Sequence, residues 1–375
     1  MMKSYPRQTL DPDLTTGLIL CGMGGPDGPE AVEPFLRNLF QDPAIFPLPR
    51  IVAGLAGRMI AKRRAPKVRK RYARISKSSA TPQLKITWKQ AQALTQRMSF
   101  PGRSMVAGVA MRYWNPFPEE AIQELTSQGA RQFLIVPAYP QYSGATGGST
   151  ITFVLDALKR LAPSAPVYAL ADWHLLPGYL DALARPVIEQ LSGWVNDGID
   201  AQQCALVYVA HSLPETFIRK GDPYLEQTQA TIQGVHALVS GVLQAMGQTS
   251  WMENIYGGVQ PQLVFQSKVG PIRWLGPQID EEVPRLATAG YRRLMVQPVS
   301  FTCEHLETLL ELDIELKELT IEHGMVQFQR GPALNLNERW LDSLANHLSA
   351  LAYGAEKGAS GLHRSEFPEE REHVT

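Results

Sequence analysis

The sequence predicts an α/β protein built from two similar doubly wound, Rossmann-like domains with a cleft between them. Three observations carry that prediction. Short apolar runs alternate with stretches of helical spacing along most of the 375 residues. The apolar runs are near-continuous rather than alternating, as expected of parallel strands covered on both faces. One order of parts also occurs twice. "VAMRYWNPFPEEAIQELTSQGARQFLIVPAYPQYS" and "VFQSKVGPIRWLGPQIDEEVPRLATAGYRRLMVQPVSFTCE" each run strand, proline-bearing loop, Glu-Glu helix start, glycine stop, and a second strand ending in proline.

Taken in order, "GLILCG", "SMVAGVAM", "RQFLIVP" and "PVYALA" are the strands of the first half, and "CALVYVA", "QLVFQS", "RRLMVQP" and "MVQFQ" those of the second. "EEAIQELTSQG" and "LDALARPVIEQLSGW" have the length and spacing of crossover helices. The helix near residues 177–196 separates the halves, giving domains over 14–190 and 191–354, and the polar, aperiodic residues 355–375 form an expected disordered tail. Ligands of such sheets sit at the carboxyl ends of strands, so the loops there are the places to look for chemistry.

Composition excludes several function classes. Thirty-six basic and thirty-six acidic residues cancel, which removes the overall electrostatic footprint of a nucleic-acid binder. Cys21, Cys204 and Cys303 are far apart and form no C-x-x-C pair, which argues against a disulfide frame, a structural zinc site or a cysteine-ligated cluster. "MMKSYPRQTL" has no apolar targeting core and no apolar run approaches the ~20 residues of a membrane span, so a cytoplasmic protein is expected.

Two glycine-rich loops are decoys. In "CGMGGPDG" the last glycine of a dinucleotide fingerprint is replaced by Asp27, and "SGATGGST" lacks the lysine of a phosphate-binding loop. Both read as tight strand-to-helix turns. "YVAHSLPE" is different, because His211 directly follows a buried strand and a proline nearby keeps the loop from continuing as helix. The corresponding strand end in the second repeat leads to "SFTCEHLETLLELDIE". There His305 and Glu307 bracket a helix start, and Glu307, Glu311 and Glu315, with Glu304 before them, build an acidic ridge. The helix dipole accounts for Glu304 and Glu307. Glu311 and Glu315 repel at i, i+4 by a few tenths of a kcal/mol, so the ridge calls for a counterion, for which a divalent metal would serve. Residues 58–74, "RMIAKRRAPKVRKRYAR", are strongly basic after the apolar "AIFPLPRIVAGLAG". A solvated helix face is the plain reading of that run; the mouth of a pocket for a flat, carboxylate-bearing ligand, or contact with anionic membrane, is the other.

Five blocks, "GMGGPDGPEAVEPFLRNLFQDPAIFPLP", "PQYSGATGGS", "HSLPETFIRKGDPY", "FQSKVGPIRWLGPQ" and "FTCEHLETLLELDIE", resemble those of the ferrochelatase family, in the family's order, over about Gly17 to Leu351. The resemblance implies two Rossmann-like domains around a porphyrin cleft, and insertion of Fe²⁺ into protoporphyrin IX to form protoheme in heme biosynthesis. It implies His211, Glu307 and His305 as catalytic residues, with His211 and Glu307 meeting the metal from opposite halves of the molecule. Met23, Arg64, Tyr72, Arg112, Tyr113, Trp274 and Phe301 would line the macrocycle, the segment 40–75 would form the porphyrin mouth, and Glu304, Glu311 and Glu315 would pass metal or protons. Fe²⁺ and the porphyrin are then substrates, no organic cofactor is needed, and the absence of any cysteine after Cys303 rules out the iron–sulfur cluster of some members. Peripheral membrane contact and an upstream porphyrin-synthesis enzyme are the further partners this implies.

The chain departs from the family pattern at "YARISKSSATPQ", which is two residues longer and lacks the usual glycines, with Thr81 standing for the serine, and at "TCEH", which keeps the acid of the usual start. Met23 stands where coproporphyrin-using members carry tyrosine, which favours protoporphyrin IX. Coproporphyrin III as substrate, cobalt or nickel as metal, a non-catalytic porphyrin or heme carrier, and a metal-dependent hydrolase, for which the ligand set is incomplete, are the competing readings.

Overall fold

A computed structural model describes residues 5–42, 50–76, 80–269 and 272–354, with the side chains of 50–53 not described. The apolar stretch 43–49, part of the altered loop at 77–79 and the expected tail 355–375 lie outside the described residues.

All eight predicted strands form. In the first half they are β1 (Thr16–Gly22), β2 (Met105–Met111), β3 (Gln132–Pro137) and β4 (Val167–Ala169); in the second, β5 (Cys204–His211), β6 (Gln262–Gln266), β7 (Arg293–Pro298) and β8 (Gln327–Arg330). They make two parallel four-stranded sheets of identical order, β2-β1-β3-β4 and β6-β5-β7-β8. The repeat seen in the sequence is therefore a duplicated topology. Its shared punctuation reappears as a cis proline after the second strand of each half, at Asn115–Pro116 and Gly276–Pro277.

The helices are α1 (Val32–Phe40), α2 (Arg50–Ile75), α3 (Gln83–Met98), α4 (Pro118–Ser127), α5 (Gly147–Leu161), α6 (Pro177–Asn196), α7 (Glu215–Arg219), α8 (Tyr224–Ala245), α9 (Thr249–Asn254), α10 (Ile279–Thr288), α11 (Lys317–Glu322) and α12 (Glu338–Tyr353), with a π-helix over Glu307–Leu316. Local chemistry sets several starts. Pro118 and Pro177 occupy first-turn positions, where a missing N–H costs nothing. Asn337 caps α12 by accepting from the Arg339 N–H at 3.0 Å.

Strand residues divide by pleat. Leu18 and Leu20 of β1, and Leu206 and Tyr208 of β5, enter one large core, whereas Ile19 and Cys21, and Val207 and Val209, enter separate outer cores. The large core spans both halves. It is completed by α6 and α12, with Trp340 of α12 stacked on Trp173 just before α6 at 5.6 Å and 13°. The division at 190/191 falls inside α6, and α12, although last in the chain, packs on α3 and α6. Leu10 N–H even donates to the Ala352 carbonyl at 2.7 Å. A fourth apolar cluster, of Val32, Phe35, Leu36, Ala61, Ala65 and Tyr72, joins α1 to α2 and forms a wall beside the cleft.

Candidate active site

The carboxyl ends of β1, β3, β5 and β7 face one cavity, open to solvent at its mouth. The turns that shape its first-half side require glycine. Gly24 has φ +81 and a Cβ there would come within 2.9 Å of the Met111 side chain; at Gly148 a Cβ would lie 2.6 Å from the Tyr142 hydroxyl. The first loop is thus the tight turn the sequence suggested, whereas Gly148 belongs to the first turn of α5, where the missing Cβ makes room for Tyr142.

His211 is the last residue of β5, and its position is fixed on every side. Its N–H donates to Ser300 Oγ at 3.2 Å, its carbonyl accepts from the Tyr224 hydroxyl at 2.8 Å, and Nδ1 lies 2.7 Å from the Ser212 carbonyl. A carbonyl only accepts, so Nδ1 carries the hydrogen and the neutral ring keeps its lone pair on Nε2. Glu307 begins the π-helix, with its Oε2 3.4 Å from His305 Nε2. Desolvation pushes the Glu307 carboxyl up, but the His305 and His211 rings, whenever they are protonated, and Arg71 outweigh it, and the group stays below its ordinary value. The His305 ring packs edge-on against Phe301 at 4.7 Å. Burial, and then the Glu307 charge, push the Tyr72 phenol up, so it stays protonated.

His211, His305, Glu307, Met23, Tyr72 and Phe301 all line the cavity, as does Thr81 from the altered loop. Other residues singled out in the sequence sit elsewhere. Arg112 and Tyr113 are engaged with Asp42, Arg112 Nε at 2.7 Å and the Tyr113 hydroxyl through a hydrogen bond. Arg64 lies over the Phe40 ring at 5.4 Å, and Trp274 donates to the Val269 carbonyl at 2.9 Å. None of these four is among the cavity-lining residues.

Two expectations need correction. His211 and Glu307 do not come from opposite halves. Both follow strands of the second sheet, β5 and β7, which are hydrogen-bonded neighbours with Val209 beside Pro298. Parallel neighbours end on the same edge, so the loops after them converge. Secondly, the acidic ridge is not an α-helix awaiting a metal. It lies on a π-helix, and its charges are met by the protein's own groups. Arg330 reaches Glu304 at 3.0 Å, and Arg71 reaches Glu311 at 3.1 Å and Glu315 at 2.9 Å. Glu311 also accepts from Gln266 at 3.0 Å and from Ser267. Among the described residues no three His, Cys, Asp or Glu side chains form a group fit to hold a metal ion.

Sequence reasoning passed over Tyr224, Ser300, Gln141 and Gln266. Gln141 Nε2 lies 3.0 Å from Thr231 and 3.2 Å from the Val299 carbonyl, tying a first-half loop to the second sheet. Gln266 donates to the Glu307 carbonyl at 2.9 Å and so holds the start of the π-helix. For Ser300, Gln141 and Gln266 the available signal was position at strand ends; Tyr224, at the start of α8, offered none of that kind.

The arrangement joins a pre-set imidazole acceptor, an ionised carboxylate and a large, mostly apolar chamber. Such a site suits proton removal from, and cation delivery to, a broad apolar ligand. Comparison with known proteins agrees in kind. The family model described as Ferrochelatase matches residues 15–350. The chain is 37% identical to a ferrochelatase of Gloeobacter violaceus over 336 residues, covering 88% of this chain and 95% of that one. It is 37% identical to a ferrochelatase of Geotalea daltonii over 331 residues, covering 88% and 96%. Among solved structures, the sirohydrochlorin chelatase SirB from Bacillus subtilis subspecies spizizenii, in complex with cobalt, aligns over 90% of this chain and 95% of that one, at 10% identity and a TM-score of 0.48.

Proposed function

The chain belongs to the ferrochelatase family, and on that premise we propose that it inserts Fe²⁺ into protoporphyrin IX, with His211 and Glu307 working together on the face of the bound ring. The observation that carries this reading is the presence of a lone-pair-bearing imidazole and a carboxylate held ionised in one cavity whose lining also includes the apolar Met23, Phe35, Leu36, Leu39 and Val68.

A free-base porphyrin directs two N–H protons inward in the plane of four nitrogens. Insertion breaks both N–H bonds and forms bonds from all four nitrogens to the metal, so two protons leave as one dication enters. Bending the ring turns lone pairs out of the plane, at a strain of ~1–5 kcal/mol that binding of the ring's periphery can supply. His211 Nε2 takes a pyrrole proton because Nδ1 is committed to Ser212. Glu307 stays charged at neutral pH and balances the arriving cation. His305 Nε2, 3.4 Å from that carboxylate, orients it and relays a proton away. When Arg71 releases them, Glu311 and Glu315 extend the line outward as the route for metal or protons, with Glu304 beside its start. Met23 favours protoporphyrin over coproporphyrin by offering the ring an apolar contact in place of a phenol.

The outward face of α2 supports peripheral membrane contact. Leu55 is 68% exposed just before the basic run of residues 58–74, and Met59 70% at its start. Among the described residues no helix is long and apolar enough to cross a membrane.

Anaerobic mixing with protoporphyrin IX and Fe²⁺ should collapse the free-base absorption bands, and the same assay with coproporphyrin III, Co²⁺ or Ni²⁺ ranks the alternatives. His211→Ala should abolish insertion while still binding the ring. Normal turnover by that variant removes the assignment, and binding without insertion by the parent protein makes it a carrier.

A further inference from the structure

The lip helix α2 packs chiefly on α1 and, across the cleft, on the π-helix. Two arginines two residues apart divide between those supports. Arg69 Nε donates to the Pro29 carbonyl at 2.8 Å and lies 4.0 Å from Glu33, both in the first half. Arg71 reaches the other way and joins Glu311 and Glu315 of the second half through one guanidinium nitrogen, 3.1 and 2.9 Å from their oxygens. Arg74 adds bonds to Glu315 at 3.5 Å and Glu318 at 2.7 Å, but it is more exposed than Arg71, 41% against 30%. Glu311 is the best buried of the carboxylates, and its other oxygen is held by Gln266 and Ser267, so it is a fixed anchor.

The residues that follow explain why this pairing matters. Tyr72 and Val68 of α2 line the cavity together with Leu306 and Glu307, and Leu306 packs against the cluster that holds Tyr72. Any outward movement of α2 widens the mouth, and any such movement must break the bonds of Arg71 together with the more exposed ones of Arg74. We infer that Arg71 is a positioning residue whose ion pairs with Glu311 and Glu315 clasp the lip helix to the π-helix, so that a flat ligand enters or leaves only when the clasp opens. This rests on the reading of the cavity as a tetrapyrrole site only for the ligand's identity. The clasp spans the cleft, is partly solvated, and is therefore screened by salt. A cation reaching Glu311 and Glu315 competes with Arg71 for the same oxygens, which makes the ridge's metal traffic and the opening of the mouth mutually exclusive with the closed clasp.

The test begins without ligand. Spin labels at Lys67→Cys on α2 and Glu322→Cys on α11 report the lip-to-π-helix separation, since the native cysteines Cys21, Cys204 and Cys303 are all buried. The expected result is one short distance at low ionic strength, a longer population growing with added salt, and that longer population already dominant at low salt in Arg71→Gln. Arg71→Lys should fall between, and Arg69→Gln should match the parent protein in its response to salt. Distance distributions that are the same in Arg71→Gln and the parent overturn the clasp. Release of protoporphyrin IX, followed by its fluorescence, should then be about tenfold faster in Arg71→Gln and lose its dependence on salt. An unchanged release rate and salt dependence also overturns the inference, whereas failure of the parent protein to bind the porphyrin overturns only the tetrapyrrole reading, the clasp being judged by the distances.

Discussion

β1 and β5 hold the same place in their sheets, yet β1 runs out into Gly22, Met23 and Gly24 while β5 runs out into His211. The same contrast separates β3 from β7. The first leads to Ala138, Tyr139 and Gln141, the second to Phe301, His305 and Glu307. Between its first two strands the first half inserts α1, α2 and α3, and α1 and α2 become the apolar wall of the cavity. Two equivalent frames thus offer equivalent strand ends, one filled with glycines and apolar or hydroxylic side chains and the other with two histidines and a carboxylate. Duplication fixes where functional side chains can stand; it does not decide which copy carries them.

Variants can break or sharpen this division. The largest effect is expected from Glu307→Gln, which keeps shape but removes charge. Insertion should fall by about 10²-fold or more while porphyrin affinity changes little. Loss of affinity together with rate would make Glu307 part of the wall. In the first half, Gly148→Ala sets a Cβ against the Tyr142 hydroxyl and should lower stability by about 1–3 kcal/mol in a denaturant titration. The turnover number of the folded fraction should remain that of the parent. Met23→Ala should weaken porphyrin binding by roughly tenfold, the equivalent of about 1.4 kcal/mol of lost apolar contact, and leave the turnover number near the parent value. A fall in turnover with binding intact would move chemistry into the first half.

The smallest effect concerns pH. His236 is buried, Nε2 3.1 Å from the Gly258 carbonyl and Nδ1 3.2 Å from the Tyr208 hydroxyl, and burial holds its pKa below the ordinary 6.5. Between that lowered value and 6.5 the unfolded chain binds more protons than the folded one, so stability falls as pH falls through this window. His236→Gln should flatten that slope without changing insertion. Glu304 contributes at lower pH with the same sign. Its burial opposes ionisation, but Arg330 and the Ala333 N–H hold it below the ordinary carboxylate value, so its contribution is full above that value and is lost as pH falls through the lowered one.

Most of the fold was legible because its signals are local. Buried parallel strands appear as apolar runs, and the second copy of "strand, proline loop, Glu-Glu, glycine stop" doubles the evidence for each part. His211 was legible for the same reason, as a polar residue ending an apolar strand. The partners of Glu311 were not. Arg71 lies 240 residues away in the chain, and nothing in a basic run tells which of its members will turn toward the other half.

The sequence by itself determined two parallel sheets of like order, the strand ends at which a site could be built, and the residue types available there. Only the tertiary structure decided that His211 and Glu307 share one half, that Ser212 leaves Nε2 as the acceptor, that the ridge is a π-helix, and that Arg71 rather than a metal neutralises it. The physical reason is range. Hydrophobic periodicity is written within a few residues, whereas the charge, tautomer and burial of a side chain depend on groups that approach only when distant segments pack.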